Sequence, residues 1–102
     1  MNPDLFIAGG GPAGLAAAIA ARRYGLSVVV SDPVRPPIDK ACGEGLLPAS
    51  IEALSHLGID LSSVESFPLH GIRFLGHTTP QAAFSQSTGL GIRRTVLHSL
   101  LL

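Results

Sequence analysis

Three consecutive glycines, Gly9, Gly10 and Gly11, run into Pro12-Ala13-Gly14 between two short apolar segments, Leu5 to Ala8 and Val28 to Val30. Few folds accept so bare a stretch of backbone at that place. Within it Gly9, Gly11 and Gly14 meet the spacing G-x-G-x-x-G, and each has its own task. A glycine at 9 lets the chain turn sharply out of a strand. One at 11 leaves room for a pyrophosphate to approach the main chain, and one at 14 lets a helix lie close on the strands. Pro12 suits a first helical turn, because its missing N–H is a donor without a helical partner. The N–H groups of that turn that remain free, with the positive end of the helix dipole, form an uncharged anion site. No Lys or Arg occurs between Met1 and Ala21 to take over that role.

The spacing predicts a helix over Pro12 to Tyr24. Gly14, Ala17, Ala18 and Ala21 make one narrow face of small residues, suited to close packing on a sheet. Arg22 and Arg23 lie in the last turn, where positive charge complements the dipole, and Gly25 is placed to end the helix at C′. Leu26 to Ser31 reads as a strand buried on both faces. Asp32 follows Gly14 by eighteen positions, close to the about 20 expected for an acid that hydrogen-bonds a ribose hydroxyl pair. Strand, glycine turn, helix, strand and acid are the order of a dinucleotide-binding βαβ unit. The acid repels a 2′-phosphate, so NADP is the least favoured ligand here.

The 102 residues are 46% hydrophobic, with a mean hydropathy of +0.42. Such a chain builds a small core and is not disordered. Seven basic and seven acidic residues cancel, so no field of one sign points to nucleic acid or to an anionic membrane. The apolar runs fall far short of the about 20 residues of a membrane span. No basic stretch precedes an apolar core at the N-terminus, so no secretory leader is expected. The single cysteine, Cys42, excludes an internal disulfide and fits the cytoplasm.

Pro33 to Pro48 is a long proline- and glycine-rich connection, of the kind that is often functional. A second helix is expected over Ala49 to Leu57, with Gly58 as its stop. Ile59 to Phe67 reads as irregular. Two short strands are expected near Leu69 to Leu75 and Gln81 to Ser85, as an antiparallel pair. Gly89 to Arg94 then leads into a helix from about Thr95, with Thr95 as its cap. That helix runs to Leu102 after only about two turns, well short of the ~12 residues an isolated helix needs, and Leu100-Leu101-Leu102 is an apolar finish. The fold class is therefore α/β: a Rossmann-like βαβ unit with a short antiparallel pair, expected to be the incomplete N-terminal part of a larger domain.

Three segments, GGGPAGLAAAIAARRYGLSVVVSD, DKACGEGLLPASIEALSHLGI and GLGIRRTVLHSLLL, resemble the start of FAD-dependent oxidoreductases of the p-hydroxybenzoate hydroxylase and geranylgeranyl reductase type. The resemblance covers nearly the whole chain. It implies that Gly9, Gly11, Pro12, Ala13 and Gly14 lie along the FAD pyrophosphate and that Asp32 holds the adenosine ribose. Arg94, with Leu97 three positions on, is similar to the group's Arg-x-x-Leu helix start, whose arginine faces FAD; Arg93 takes that role if the register shifts by one. Gly43 to Leu46, including Gly45, resembles the segment passing the flavin. Ring hydroxylases of this group commonly carry an arginine just ahead of that Gly-Leu, whereas this chain has Cys42, Gly43 and Glu44. The group's second fingerprint, a Gly-Asp segment, does not occur in this sequence, and neither does a substrate domain.

The implied parent is a cytoplasmic monooxygenase or geranylgeranyl-reductase-like enzyme that uses FAD, takes NAD(P)H as reductant and acts on a small-molecule substrate. An NAD-dependent dehydrogenase and a non-catalytic truncated fragment are the alternatives. Catalytic residues and oligomeric state stay unassigned. Cys42, alone and without a nearby histidine, reads as inert packing. Lys40 and Arg35 read as loop charges facing water, and Glu44 as either a flavin contact or a solvated side chain. His56, His70, His77 and His98 show no ligand spacing, so no metal site is expected.

Overall fold

The computed structural model describes residues 2–42, 44–85 and 87–102. Strand β1 (Leu5–Ala8), helix α1 (Pro12–Arg23) and strand β2 (Val28–Ser31) form a βαβ start. The two strands are parallel, with Leu5 opposite Val28 and Ala8 opposite Ser31. Their first residues are clamped: the Asp4 carboxylate accepts from the Ser27 N–H at 2.8 Å and from its hydroxyl at 3.0 Å.

Helix α1 ends by the device its sequence foretells. Gly25 takes φ +81°, its N–H donates to the Arg22 carbonyl at 3.0 Å, and the Leu26 N–H donates to the Ala21 carbonyl at 3.2 Å. This is a Schellman motif, which satisfies two of the carbonyls that a helix end leaves bare. Leu26 is thereby spent on the cap, so β2 begins at Val28 and not at Leu26. Val28 to Val30 are half-buried, not buried on both faces, and Phe6 on the neighbouring strand is 60% exposed. One face of the parallel pair packs against helices; the described residues leave the other open.

Beyond β2 come β3 (Gly45–Leu46) and helix α2 (Pro48–His56), with Pro48 in the first turn. Gly58 at φ +82° closes α2 with a second Schellman motif. The span expected to be irregular holds a 3₁₀ turn, Leu61–Ser63, capped by Asp60, whose carboxylate accepts from the Ser62 N–H at 2.9 Å. Strands β4 (Phe67–Leu69), β5 (Gly71–Arg73), β6 (Gln81–Ala83) and β7 (Gly89–Gly91) follow, then helix α3 (Arg94–Leu101).

The antiparallel part is larger than the expected pair. The single strand expected over Leu69 to Leu75 divides at His70, because the chain leaves one sheet for another there. β4 and β3 both pair with β7, giving the order β3-β7-β4, while β5 and β6 form a separate hairpin. β7 is the central strand of the three. Its Gly-Leu-Gly sequence carries none of the β-branched enrichment by which strands are read, which is why it read as a lead-in to the helix.

A common core joins these parts. Leu15 of α1, Leu54 of α2, Leu61, Ile92, and Leu97 and Leu101 of α3 are buried together, with Ile19, Val30 and Leu90 packed around them. Leu97 and Leu101 are four apart, so one face of α3 points inward. This packing holds the N-terminus of α3 beside that of α1.

Gly14 sets how closely α1 can lie on β1. A Cβ there would overlap the Gly9 carbonyl oxygen and come within 3.3 Å of Ile7 Cγ2. Gly14→Ala is therefore expected to lower stability by about 1–3 kcal/mol, the usual cost of forcing an extra carbon into packed space. Thermal unfolding followed by circular dichroism checks this, and an unchanged Tm would contradict it.

Candidate functional site

The glycine turn is shaped by three backbone constraints. Gly9 sits at φ +118°, in the region that side chains rarely enter, and its N–H donates to the Ser31 carbonyl at 2.8 Å. The Gly10 N–H donates to Asp32 Oδ2 at 2.9 Å. The Gly10 carbonyl oxygen faces His98 Nε2 at 2.6 Å. Gly10 is buried; a Cβ on it would lie 3.2 Å from the Asp32 Cβ.

Those ties fix the turn and leave its amides bare. Gly11 is the N-cap of α1, without a side-chain cap. The Leu15 N–H donates to the Gly11 carbonyl at 2.9 Å, but the N–H groups of Gly11, Ala13 and Gly14 have no partner among the described residues. Pro12 has no N–H to offer. The space at Gly9 is open, with nothing within 4 Å of an added Cβ.

Arg94 faces this turn. A Cβ on Gly11 would lie 3.5 Å from Arg94 Nη2, and Arg94 Nε is buried without a hydrogen-bond partner. A guanidinium with an unused donor, set against unpaired amides at a helix N-terminus, is chemistry suited to a phosphate. Arg93, by contrast, is the exposed N-cap of α3 and lines an open cavity with Glu65 and Phe67. The residue turned toward Gly11 is Arg94.

Thr95 does not cap α3, which begins one residue earlier than expected. Glu44 does that work from the preceding loop: its Oε1 accepts from the Arg94 N–H at 3.3 Å, while its carbonyl accepts from the Ile92 N–H at 2.9 Å. Glu44 holds φ +56°. A carboxylate at a helix N-terminus is favoured by the dipole, so the Glu44 side chain, though exposed, is tied to this helix start. Gly45 is carried next to it in β3, opposite Gly91. Gly43 lies outside the described residues.

Asp32 stands at the end of β2 with both carboxylate oxygens oriented. Oδ2 takes the Gly10 N–H and Oδ1 the Val34 N–H at 2.8 Å. These two bonds, aided by Lys40, hold its carboxyl below the usual carboxylate range. Each oxygen keeps a lone pair for a further donor such as a hydroxyl. A cavity of about 210 Å³ opens beside it, lined by Gly10, Val34, Pro36 and Ile38.

Other candidates stay apart. Cys42 is exposed, not packed, and its Sγ accepts from the Glu44 N–H at 3.3 Å. Arg35 and Lys40 are exposed. Among the described residues no three of His, Cys, Asp or Glu gather as metal ligands, and no helix is long and apolar enough to cross a membrane. His98 is the residue that the sequence reading missed. The available signal was its place one turn after Arg94, beside the inward positions Leu97 and Leu101.

A parallel βαβ unit with unpaired amides at its glycine turn, an oriented acid and a facing arginine defines a dinucleotide-binding α/β domain. The residues fit such a ligand: unpaired amides at Gly11, Ala13 and Gly14, a buried Arg94 Nε without a partner beside Gly11, and open space at Gly9. The chain belongs to the FAD binding domain family, which matches residues 3–96. It is 44% identical over 73 residues to a menaquinone reductase of Mycolicibacterium smegmatis, a match covering 72% of this chain and 18% of that protein. Squalene epoxidase erg1 of Aspergillus fumigatus is 36% identical over 72 residues, covering 69% of this chain and 15% of that protein. Among solved structures, a flavoprotein/dehydrogenase from Cytophaga hutchinsonii superposes with a TM-score of 0.79 at 24% identity, over 96% of this chain and 26% of that one. A geranylgeranyl bacteriochlorophyll reductase-like protein from Thermoplasma acidophilum gives a TM-score of 0.64 at 24% identity, over 97% and 27%. The match thus spans only 15% to 18% of the length of these curated relatives.

Asp4, Asp32 and Asp60 all have depressed carboxyl pKa values, each from hydrogen bonds donated by neighbours. Their contribution to stability is therefore complete above the ordinary Asp value of about 4 and is lost as the pH falls through the lower folded values. Thermal scans from about pH 5 to about pH 3 are expected to show a falling Tm, with a shallower fall in Asp32→Asn. A slope identical in the two proteins would contradict the role given to the Gly10 and Val34 bonds.

Proposed function

We propose that this chain holds the ADP half of FAD in a flavin-dependent oxidoreductase. The observation that carries the proposal is the set of unpaired amides at Gly11, Ala13 and Gly14, with the Arg94 guanidinium beside Gly11. In this reading the pyrophosphate lies along Gly9, Gly11, Pro12, Ala13 and Gly14, with Arg94 on its far side. Asp32 receives the adenosine ribose hydroxyls on its remaining lone pairs. Gly45 borders the path toward the isoalloxazine, with Glu44 tying that segment to the start of α3.

The flavin supplies the electron chemistry when bound. This chain's residues bind and orient it: the amides and Arg94 neutralise the phosphates, and Asp32 sets the ribose and disfavours a 2′-phosphate. The parent enzyme takes hydride from NAD(P)H in the cytoplasm and passes electrons to a small-molecule substrate. Reduction is favoured over aromatic hydroxylation, because menaquinone reductases are among the relatives it is similar to and Cys42-Gly43-Glu44 replaces the ring hydroxylases' arginine. Family membership likewise favours FAD over NAD at this turn.

Titration of the protein with FAD, followed by quenching of flavin fluorescence, tests the reading. Saturable binding is expected, with preference over NAD. Gly11→Val is expected to weaken it at least about tenfold by filling the phosphate space against Arg94. Binding of NAD alone, or full FAD affinity in Gly11→Val, would contradict the proposal.

A further inference from the structure

His98 is the single fully buried polar side chain recorded among the described residues, with 1% of its surface exposed. It lies on α3, one turn beyond Arg94. Both ring nitrogens meet backbone. The Ile38 N–H donates to Nδ1 at 3.1 Å, so Nδ1 carries no proton. Nε2 lies 2.6 Å from the Gly10 carbonyl oxygen, which can only accept, so Nε2 carries one. The two bonds together specify the neutral Nε2–H tautomer.

These partners come from segments far apart in sequence. Gly10 belongs to the phosphate turn, and Ile38, itself 2% exposed, belongs to the loop that follows Asp32. Gly10 is at the same time tied through its N–H to Asp32. The imidazole therefore braces from behind both the turn that presents the amides and the loop that borders the Asp32 cavity. A helix needs no histidine to be buried: leucine fills the same face at Leu97 and Leu101. A polar ring with both nitrogens satisfied by main chain is an orienting element, since leaving either backbone group unpaired in the interior is costly.

We propose that His98 is a positioning residue for the FAD site, acting through the Gly10 carbonyl to hold the Gly11, Ala13 and Gly14 amides in the direction of the pyrophosphate. This inference rests on the FAD reading above and adds a residue to it. The glutamine variant His98→Gln keeps an N–H donor near the place of Nε2 but loses the acceptor for Ile38. His98→Asn keeps an acceptor near Nδ1 but falls short of Gly10. Both leave one buried group unpaired, so both should lose thermal stability to a similar extent.

The test combines three measurements on the protein: Tm, FAD affinity by fluorescence quenching, and the protonation pattern of the wild-type ring by long-range ¹H–¹⁵N NMR. The expected result is Nε2 protonated and Nδ1 bare, with FAD affinity reduced less than about threefold in His98→Gln and about tenfold or more in His98→Asn. Equal losses of affinity in the two variants, or none in either, would overturn the positioning role and leave FAD binding intact as a reading. The opposite tautomer or a charged ring in wild type at neutral pH would overturn it as well, even where the variants fail to fold. A wild-type protein that binds no FAD sinks the functional reading, and this inference with it.

Discussion

Three backbone amides left without partners at the start of α1 are the constraint around which the rest of this structure is arranged. A bare N–H at a helix end ordinarily finds water or a capping side chain, and Gly11 supplies no cap. What keeps the amides presented is a set of ties just behind them. Gly9 accepts a left-handed turn, Gly10 is fastened to Asp32 by its N–H and to His98 by its carbonyl, and Gly14 lets the helix press onto the Gly9 carbonyl. Each tie acts on main chain, so this part of the site presents peptide groups and not side chains that would have to be ordered when a ligand arrives. The cost is carried by conformations and close contacts that only glycine permits.

The second half of the chain completes the site from the opposite side. The three-stranded sheet delivers Ile92, Arg93 and Arg94 to the place where α3 begins, and the Leu97 and Leu101 face anchors that helix in the core. Arg94 consequently points at Gly11 as a consequence of how α3 packs on α1. Glu44 occupies the amide end of α3 itself. The two helix N-termini are thus treated differently: one is capped by a carboxylate, the other is left for an anion. That asymmetry separates the proposed phosphate site from its neighbour.

Much of this was legible in the sequence because glycine, proline and a terminal acid have few other reasons to occur at these spacings. The βαβ unit, the C′ glycines at 25 and 58, and the approach of Gly14 to the first strand follow from local rules that tertiary packing does not override. β7 was not legible: Gly89 and Gly91 lack strand character, and the pairing with β3 and β4 is a long-range event. The division of the expected strand at His70 is of the same kind. Thr95 looked like a cap because threonine often is one, yet a carboxylate fifty residues earlier in the chain reached the helix end first. His98 carried no motif, and only the fold reveals that its two nitrogens meet Ile38 and Gly10.

The account is tested most directly by following the backbone amides of Gly11, Ala13 and Gly14 in ¹H–¹⁵N spectra while FAD is added. If these groups receive the diphosphate, their resonances move together and saturate with the same affinity that flavin fluorescence reports. If FAD binds while those three resonances stay where they were, the cofactor is held elsewhere and the glycine turn is only a tight way of joining a strand to a helix.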